Sequence, residues 1–360
     1  MELRLEAGLR RKELDLLAGG PPCQPFSKAA FWHAGDAPRL DDPRSRTLEA
    51  FFAAVDETLP RVVLLENVAG FAYAQKDEAW QLCCDNFRQI NRRNDTAYVP
   101  QLIRLNAADY GVPQQRHRIF VIASRNGRQL LAPPVTHVQV VQDAKKGTKQ
   151  YVTAWDAIGA VPEDACDDDL SLRGKWARLL PSIPEGENYL YHSPGGAGEP
   201  LFGRRTRYWS FLLKLSKSAP AWTIVASPGP GTGPFHWDNR QLSRRELSRL
   251  QTFPDTFSVV GDYSTARRQI GNAVPPLLGE LLGLEIRRQL LGHKVRRKLR
   301  LALQKNVAVP PPAVVADVPE EYHSYRAAHV AHPGPGLGPG ALKRPILQMR
   351  LDMPESEGSA

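Results

Sequence analysis

The 360-residue chain contains only four cysteines, three methionines and no long apolar run. The cysteines are Cys23, Cys83, Cys84 and Cys166. No two are spaced C-x-x-C, so the usual ligand spacing of a structural zinc site is absent. Four cysteines in a chain of this length do not make a disulfide framework. The start, Met-Glu-Leu-Arg-Leu-Glu, lacks the basic-then-apolar pattern of a secretory signal. No apolar stretch approaches the ~18 residues of a membrane span. These absences point to a cytosolic protein with reduced thiols, without a bound metal and away from the membrane. Acid is in the minority: 47 Lys and Arg face 38 Asp and Glu, giving a formal net charge of +9. Such an excess favours a polyanionic partner, with nucleic acid ahead of a membrane surface.

Residues 14–18, Leu-Asp-Leu-Leu-Ala, form a short apolar run that ends in Gly19-Gly20-Pro21-Pro22. It reads as a buried strand leaving into a loop. Arg61-Val62-Val63-Leu64-Leu65 is a second strand, ending at Glu66-Asn67. Residues 46–58 between them carry helical spacing, with Leu48, Phe51, Phe52, Val55 and Leu59 on one face. Strand, helix, strand is a parallel crossover unit. A helix over 77–92 and β-rich stretches at 97–105 and 118–123 follow. The fold class is α/β, an open sheet whose site lies at the carboxyl ends of its strands.

Residues 132–240 differ in texture, with scattered Pro, Gly, aromatic and Arg residues and few helical signals. They read as a smaller, mostly irregular or β domain, with a strand at 222–226. Helical pattern returns at Ser243–Gln251, where Ser243 followed by Glu246 makes a capping box. It returns again at 276–291. Beyond a basic stretch at 294–300, Pro and Gly dominate, and that tail is expected to be disordered or draped over the surface.

Three runs carry candidate chemistry. In Gly19-Gly20-Pro21-Pro22-Cys23-Gln24-Pro25-Phe26-Ser27 the prolines stiffen a strand-end loop and the glycines admit a close ligand. A thiolate presented there is a candidate nucleophile, although a small buried cysteine has the same local signature. In Leu65-Glu66-Asn67-Val68 the carboxylate falls on the same sheet edge as Cys23. Burial would raise its pKa and suit it to donate a proton or clamp a ligand; the alternative is a solvated strand-end glutamate. In Tyr110-Gly111-Val112-Pro113-Gln114-Gln115-Arg116-His117-Arg118-Ile119-Phe120 the two arginines are two apart and share a strand face. They can fork onto a carbonyl or phosphate, or form a charged strand edge. His117 points the other way and reads as a surface residue.

In order, these runs resemble DNA cytosine-5 methyltransferases. So do Arg245-Glu246-Leu247-Ser248-Arg249-Leu250-Gln251-Thr252-Phe253-Pro254-Asp255 and Gln269-Ile270-Gly271-Asn272-Ala273-Val274-Pro275-Pro276. The resemblance implies a Rossmann-like, S-adenosylmethionine-dependent methyltransferase sheet with a target-recognition domain. It implies a catalytic domain over 1–135 plus 241–292, a recognition domain over 136–240 and a tail over 293–360. It also implies that a cytosine leaves duplex DNA to be reached. Cys23 would attack its C6, Glu66 would hold N3 and the exocyclic amine, and Arg118 would bind O2 with Arg116 in support. Pro22, Asn272, Ala273 and Val274 would border the cofactor. Arg204, Arg205 and Arg207, beside Tyr208 and Trp209, would touch DNA. Zinc-deaminase spacing, H-x-E with P-C-x-x-C, is absent.

One part of the family pattern is missing. Members open with a strand and a Phe-x-Gly-x-Gly turn that cradles the cofactor, followed by two further strand ends that bind its ribose and adenine. Here 22 residues precede Cys23, and none forms that turn. Three strands of the implied sheet are therefore not accounted for. A misassigned start, a broken remnant, or a separate chain that supplies the strands would each explain this. Standing alone, the chain is expected to bind no S-adenosylmethionine. The competing functions are a non-catalytic DNA-binding subunit and an RNA cytosine-5 methyltransferase. The long segment between Arg118 and Ser243 favours DNA. A cognate restriction endonuclease is a further expected partner.

Overall fold

The computed structural model describes residues 6, 8–21, 46–68, 71, 78–139, 147–161, 169–203, 207–295, 299–301, 303 and 308–326. The Pro22-Cys23 loop, Cys166, Arg204 and Arg205 lie outside the described residues.

The main sheet has four strands, β1 (Leu16–Gly19), β2 (Val62–Asn67), β3 (Gln101–Asn106) and β4 (His117–Ser124), in the spatial order β1-β2-β4-β3. β1 and β2 are parallel, with Leu16 opposite Val62 and Gly19 opposite Leu65. Helix α1 (Arg46–Thr58) is the crossover between them, as the apolar spacing requires. β4 then inserts antiparallel beside β2, and β3 pairs antiparallel on its far side. The expected strand at 97–105 starts only at Gln101, because Pro100 has no N–H to give to a ladder.

Both sheet faces are covered. On one face, Leu48, Phe52, Val55 and Leu59 from α1 meet Ala79, Cys83, Phe87 and Ile90, spaced along helix α2 (Glu78–Asn94). Phe52 and Phe87 cross edge to face at 5.1 Å. Phe51, on the flank of α1, covers the end of β1. A Cβ on Gly19 would lie 2.6 Å from its ring, so the strand end stays glycine. On the other face, Val62, Ile103, Phe120 and Ile122 pack against Leu277, Leu278, Leu282 and Ile286 of a helix over Pro276–Gln289. Alternate β2 residues therefore serve opposite cores, which explains its continuous apolar run. Among the described residues no strand pairs with the outer edge of β1, where Leu16 and Leu17 are half-buried. Among these residues, too, no helix is long and apolar enough to cross a membrane.

The remainder is mostly irregular. β5 (His137–Val138) and β6 (Lys149–Gln150) form a two-stranded parallel ladder, and α3 (Ala154–Ile158) starts on a Thr153 capping box. Residues 222–226, expected as a strand, join no ladder. Ala221 makes a single bridge to Gln114, and the chain beyond it is held by side chains instead. Three further helices follow: α4 (Arg244–Leu250), α5 (Tyr263–Asn272) and α6 (Pro276–Gln289). α5 carries no strong sequence pattern. It is started by Asp262, whose carboxylate accepts from the Thr265 amide at 2.7 Å. One core cluster unites Ala154 and Ile158 with Leu215, Ile224 and Trp237, and also with Leu247, Leu250 and Ile270. Residues 308–326, within the stretch expected as a loose tail, lie on the irregular region. There Tyr322 is buried against Trp176 at a 17° stacking angle.

The capping box that begins α4 matches the sequence pattern. The Ser243 hydroxyl accepts from the Glu246 amide at 3.2 Å, and the Glu246 carboxylate accepts from the Ser243 amide at 2.7 Å. Glu246 also takes both ends of the Arg240 guanidinium, at 2.8 and 2.9 Å, and is 2% exposed. Burial pushes its pKa up, but the bonds from Arg240, the neighbouring His236 and the Ser243 amide outweigh it and hold the carboxyl below its ordinary value. A depressed carboxyl contributes stability at neutral pH that is lost as pH falls through its folded pKa. Ser243→Ala should cost about 1 kcal/mol. Glu246→Ala, which strands Arg240, should cost roughly 3 kcal/mol. Urea unfolding at pH 7 measures both. Repeating it at acid pH should shrink the Glu246→Ala difference.

Candidate active site

Glu66 stands at the carboxyl end of β2 and Arg118 at the start of β4. Because the two strands run antiparallel, with Glu66 opposite Phe120, Arg118 falls one pleat further on, on the same face. Its Nε lies 2.9 Å from Glu66 Oε1, with the side chains 12% and 16% exposed. Arg118 Nη1 also donates to the His117 carbonyl at 2.8 Å. Burial is the largest influence on Glu66 and raises its pKa. Arg118 and then Arg116 pull it down, but burial prevails. The carboxyl therefore keeps its proton to higher pH than an ordinary glutamate.

The start of the cysteine loop is pinned beside this pair. A Cβ on Gly20 would come within 3.2 Å of Glu66 Oε2, so the backbone passes close to the carboxylate. Asn67, buried, donates from Nδ2 to the Pro21 carbonyl at 3.4 Å, and its Oδ1 accepts from the Val68 amide at 2.9 Å. Asn67 thus ties the β2 end to the chain that leads into Pro22 and Cys23.

Arg116 has a different task from Arg118. It is 0% exposed, and its Nη2 donates to the carbonyls of Gly271 at 2.7 Å and Ala273 at 2.8 Å. Nη1 points to Gln114 Oε1 and the Ile224 carbonyl. The guanidinium thereby fixes the residues on both sides of Asn272 against the start of β4. Gly271 is required there, since a Cβ would lie 2.6 Å from Ala226 Cα. Gln114, fully buried, completes the knot, donating to the Leu250 carbonyl and accepting from the Ile224 amide. Gln114 and Asn67 lie inside the motifs read from the sequence, but no chemistry had been assigned to them. The signal at Asn67 is a polar residue closing an apolar run; Gln114, amid polar neighbours, has none. His117 is exposed, on the face opposite the arginines.

Asn272 is exposed at the end of α5, and Val274 is half-buried. Of the arginines expected to meet DNA, Arg207 is described. It is exposed, its guanidinium 5.7 Å from the Phe211 ring centre, and its carbonyl accepts from Tyr189 Oη at 2.8 Å.

With this geometry in place, relatives can be compared. The family described as "C-5 cytosine-specific DNA methylase" matches residues 3–288. The chain belongs to that family. It is 35% identical over 305 residues to Type II methyltransferase M.SacI of Streptomyces achromogenes, covering 80% of this chain and 75% of that protein. It is 34% identical over 268 residues to Type II methyltransferase M.NgoFVII of Neisseria gonorrhoeae, covering 73% and 67% respectively. Its fold resembles the crystal structure of a prophage-encoded DNA modification methyltransferase of E. coli, with a TM-score of 0.52 at 22% identity. The match covers 78% of this chain and 80% of that one.

Members of this family use S-adenosylmethionine. The described residues fit one border of such a ligand. The Asn272 amide is exposed, Val274 offers a half-buried apolar side chain, and Arg116 holds the backbone between them.

Removing the Arg116 fork should loosen that border. Arg116→Met would leave two inward-facing carbonyls without their donor and should destabilise the protein by roughly 3 kcal/mol or more. Thermal unfolding of the purified variant measures the loss. Arg116→Lys should recover only part of it, because an ammonium lacks the planar fork.

Proposed function

We propose that this chain carries the base-side site of a DNA cytosine-5 methyltransferase, with Cys23 as nucleophile, Glu66 as proton-bearing clamp and Arg118 as the ligand of the base carbonyl. The observation that carries the reading is the partly buried Glu66–Arg118 pair beside Gly20 and Pro21. The edge of cytosine presents an amine, a ring nitrogen and a carbonyl in a row. A protonated Glu66 can donate to N3 while its other oxygen accepts from the amine, and Arg118 can donate to O2. Charge that builds on the ring during attack is then met by groups already in place.

The Cys23 thiolate adds to C6, forming a C–S bond and moving electron density to C5 as an enamine. S-adenosylmethionine, when bound, supplies an electrophilic methyl group for that carbon. Loss of the C5 proton to a base re-forms the C5–C6 double bond and expels the thiolate. Arg116 acts through position, keeping the 271–274 segment against β4. The basic residues Arg204, Arg205 and Arg207 are proposed to contact DNA phosphate or base edges. The two curated relatives are named as Type II methyltransferases. A restriction endonuclease of the same sequence specificity is therefore the expected functional counterpart.

A second reading rests on the outer edge of β1, which carries no partner strand among the described residues. An apolar parallel edge of this kind is completed by further strands. We infer that such strands, from a preceding segment or a separate chain, finish the cofactor side. Calorimetric titration of S-adenosylmethionine into the 360-residue chain should give no heat of binding. Micromolar binding would sink this second reading.

The catalytic assignment is tested on the complete enzyme. Cys23→Ala should abolish methyl transfer. Wild-type protein trapped on duplex DNA containing 5-fluorocytosine should show the added nucleotide mass on the Cys23 peptide. Glu66→Gln should slow transfer roughly 100-fold or more. Activity that depends on protonated Glu66 declines as pH rises through its raised pKa, and Glu66→Gln should lose that alkaline limb. A wild-type profile in Glu66→Gln would exclude the proton-bearing role.

A further inference from the structure

Among the described residues two large indoles stand exposed, Trp209 at 54% and Trp222 at 43%. Neither sits on slack chain. Ala221 exchanges backbone bonds with the segment leading into β4: its amide donates to the Pro113 carbonyl at 2.9 Å and its carbonyl accepts from the Gln115 amide at 2.7 Å. On the other side, Thr223 Oγ1 donates to the Gln115 carbonyl at 2.6 Å, and the Ile224 amide donates to the Gln114 side chain. Trp222 is thus held on rigid backbone beside the segment that leads through Arg116 into β4, the strand that carries Arg118. Trp209 meets it edge to face at 5.7 Å, with a 70° interplanar angle. The Trp209 carbonyl is itself held by Asn188 Nδ2 at 2.7 Å. Keeping a pre-ordered, braced indole in water forgoes burial that a ligand covering it would recover.

Trp222 borders a cavity of about 500 Å³. Its walls include Gln115 and His117 from the start of β4, Gln139 and Gln150 from the β5–β6 region, and Tyr151. Among the described residues no Lys, Arg, Asp or Glu lines it. Gln115 is oriented by Asn106, whose Nδ2 donates to its Oε1 at 2.7 Å. Amide side chains offer donors and acceptors side by side, and an indole offers a stacking face. That combination recognises a planar heterocycle with a hydrogen-bonding edge.

We propose that this cavity is a nucleobase subsite, in which Trp222 stacks on a base of the DNA substrate next to the cytosine held by Glu66 and Arg118. The glutamine amides read that base's edge, making Trp222, Gln139 and Gln150 specificity-determining residues. The inference rests on the DNA reading above.

The test uses full chains of wild type, Trp222→Ala and Trp222→Phe. Each is equilibrated with a pool of duplexes randomised over a central window, and the bound fraction is sequenced. Wild type should enrich a motif. Trp222→Ala should lose the preference at one position beside the cytosine while keeping the others, and should bind roughly tenfold or more weakly. Its slope of log affinity against log salt should be unchanged, because no phosphate contact is removed. Trp222→Phe should restore most of the affinity and preference, and all three proteins should melt alike. Wild-type affinity and preference in Trp222→Ala would overturn the subsite. So would an equal loss at every position together with a lowered melting temperature. A wild type that binds no duplex at all would instead overturn the DNA reading on which the subsite rests.

Discussion

The buried guanidinium of Arg116 ties together segments that lie far apart in the chain. Gly271, Ala273, Ile224 and Gln114 all present oxygen to it, and none of those bonds reaches water. A charge fully withdrawn from solvent is tolerated only where several acceptors converge on it. The acceptors come from four positions spread over about half the sequence, so the charge has a place only once the chain has folded around it. The close approach of Gly271 to Ala226 belongs to the same knot, since a side chain there would hold the two strands of backbone apart.

Arg118, two residues further on and inside β4, is left for a different task. The pleat places both arginines on the Glu66 face, but Arg116 is turned into the protein while Arg118 meets a carboxylate that remains within reach of solvent. The motif that looks like a pair of equivalent cations is thus one group held by buried carbonyls and one paired with a partly exposed carboxylate. Burial raises the pKa of Glu66 and Glu246 alike, and their partners decide the outcome. Around Glu246, a bidentate arginine and a backbone amide keep the carboxylate charged. Around Glu66, two arginines fall short of the burial cost, and its pKa stays above that of an ordinary glutamate. The same side chain is shifted down in one place and up in the other.

The recognition side follows a similar division. Tyr208, Trp209 and Trp222 remain exposed, whereas Trp176 and Trp237 are packed into cores with Tyr322 and Trp155. Nothing in the local sequence separates these tryptophans. Their fates are set by which backbone segments bracket them, and for Trp222 those segments are the ones leading into the catalytic strand.

Sequence alone determined what depends on short-range rules. The alternation and apolar runs of β1, β2 and β4, the 46–58 helix face, and the Ser243–Glu246 capping box are all local, and each is found where its pattern lies. The ordered motifs also identified the family, because their residue types and order carry the chemistry. Local pattern failed at 222–226, where an apparent strand has no ladder to join. Tertiary structure alone decided that Arg116 would be buried and Arg118 paired with Glu66, that the Glu66 pKa would be raised, and that Trp222 would border a polar cavity. Each of these depends on distances between residues remote in sequence. Burial, electrostatic shift and cavity shape are properties of such distances, and no short window of sequence contains them.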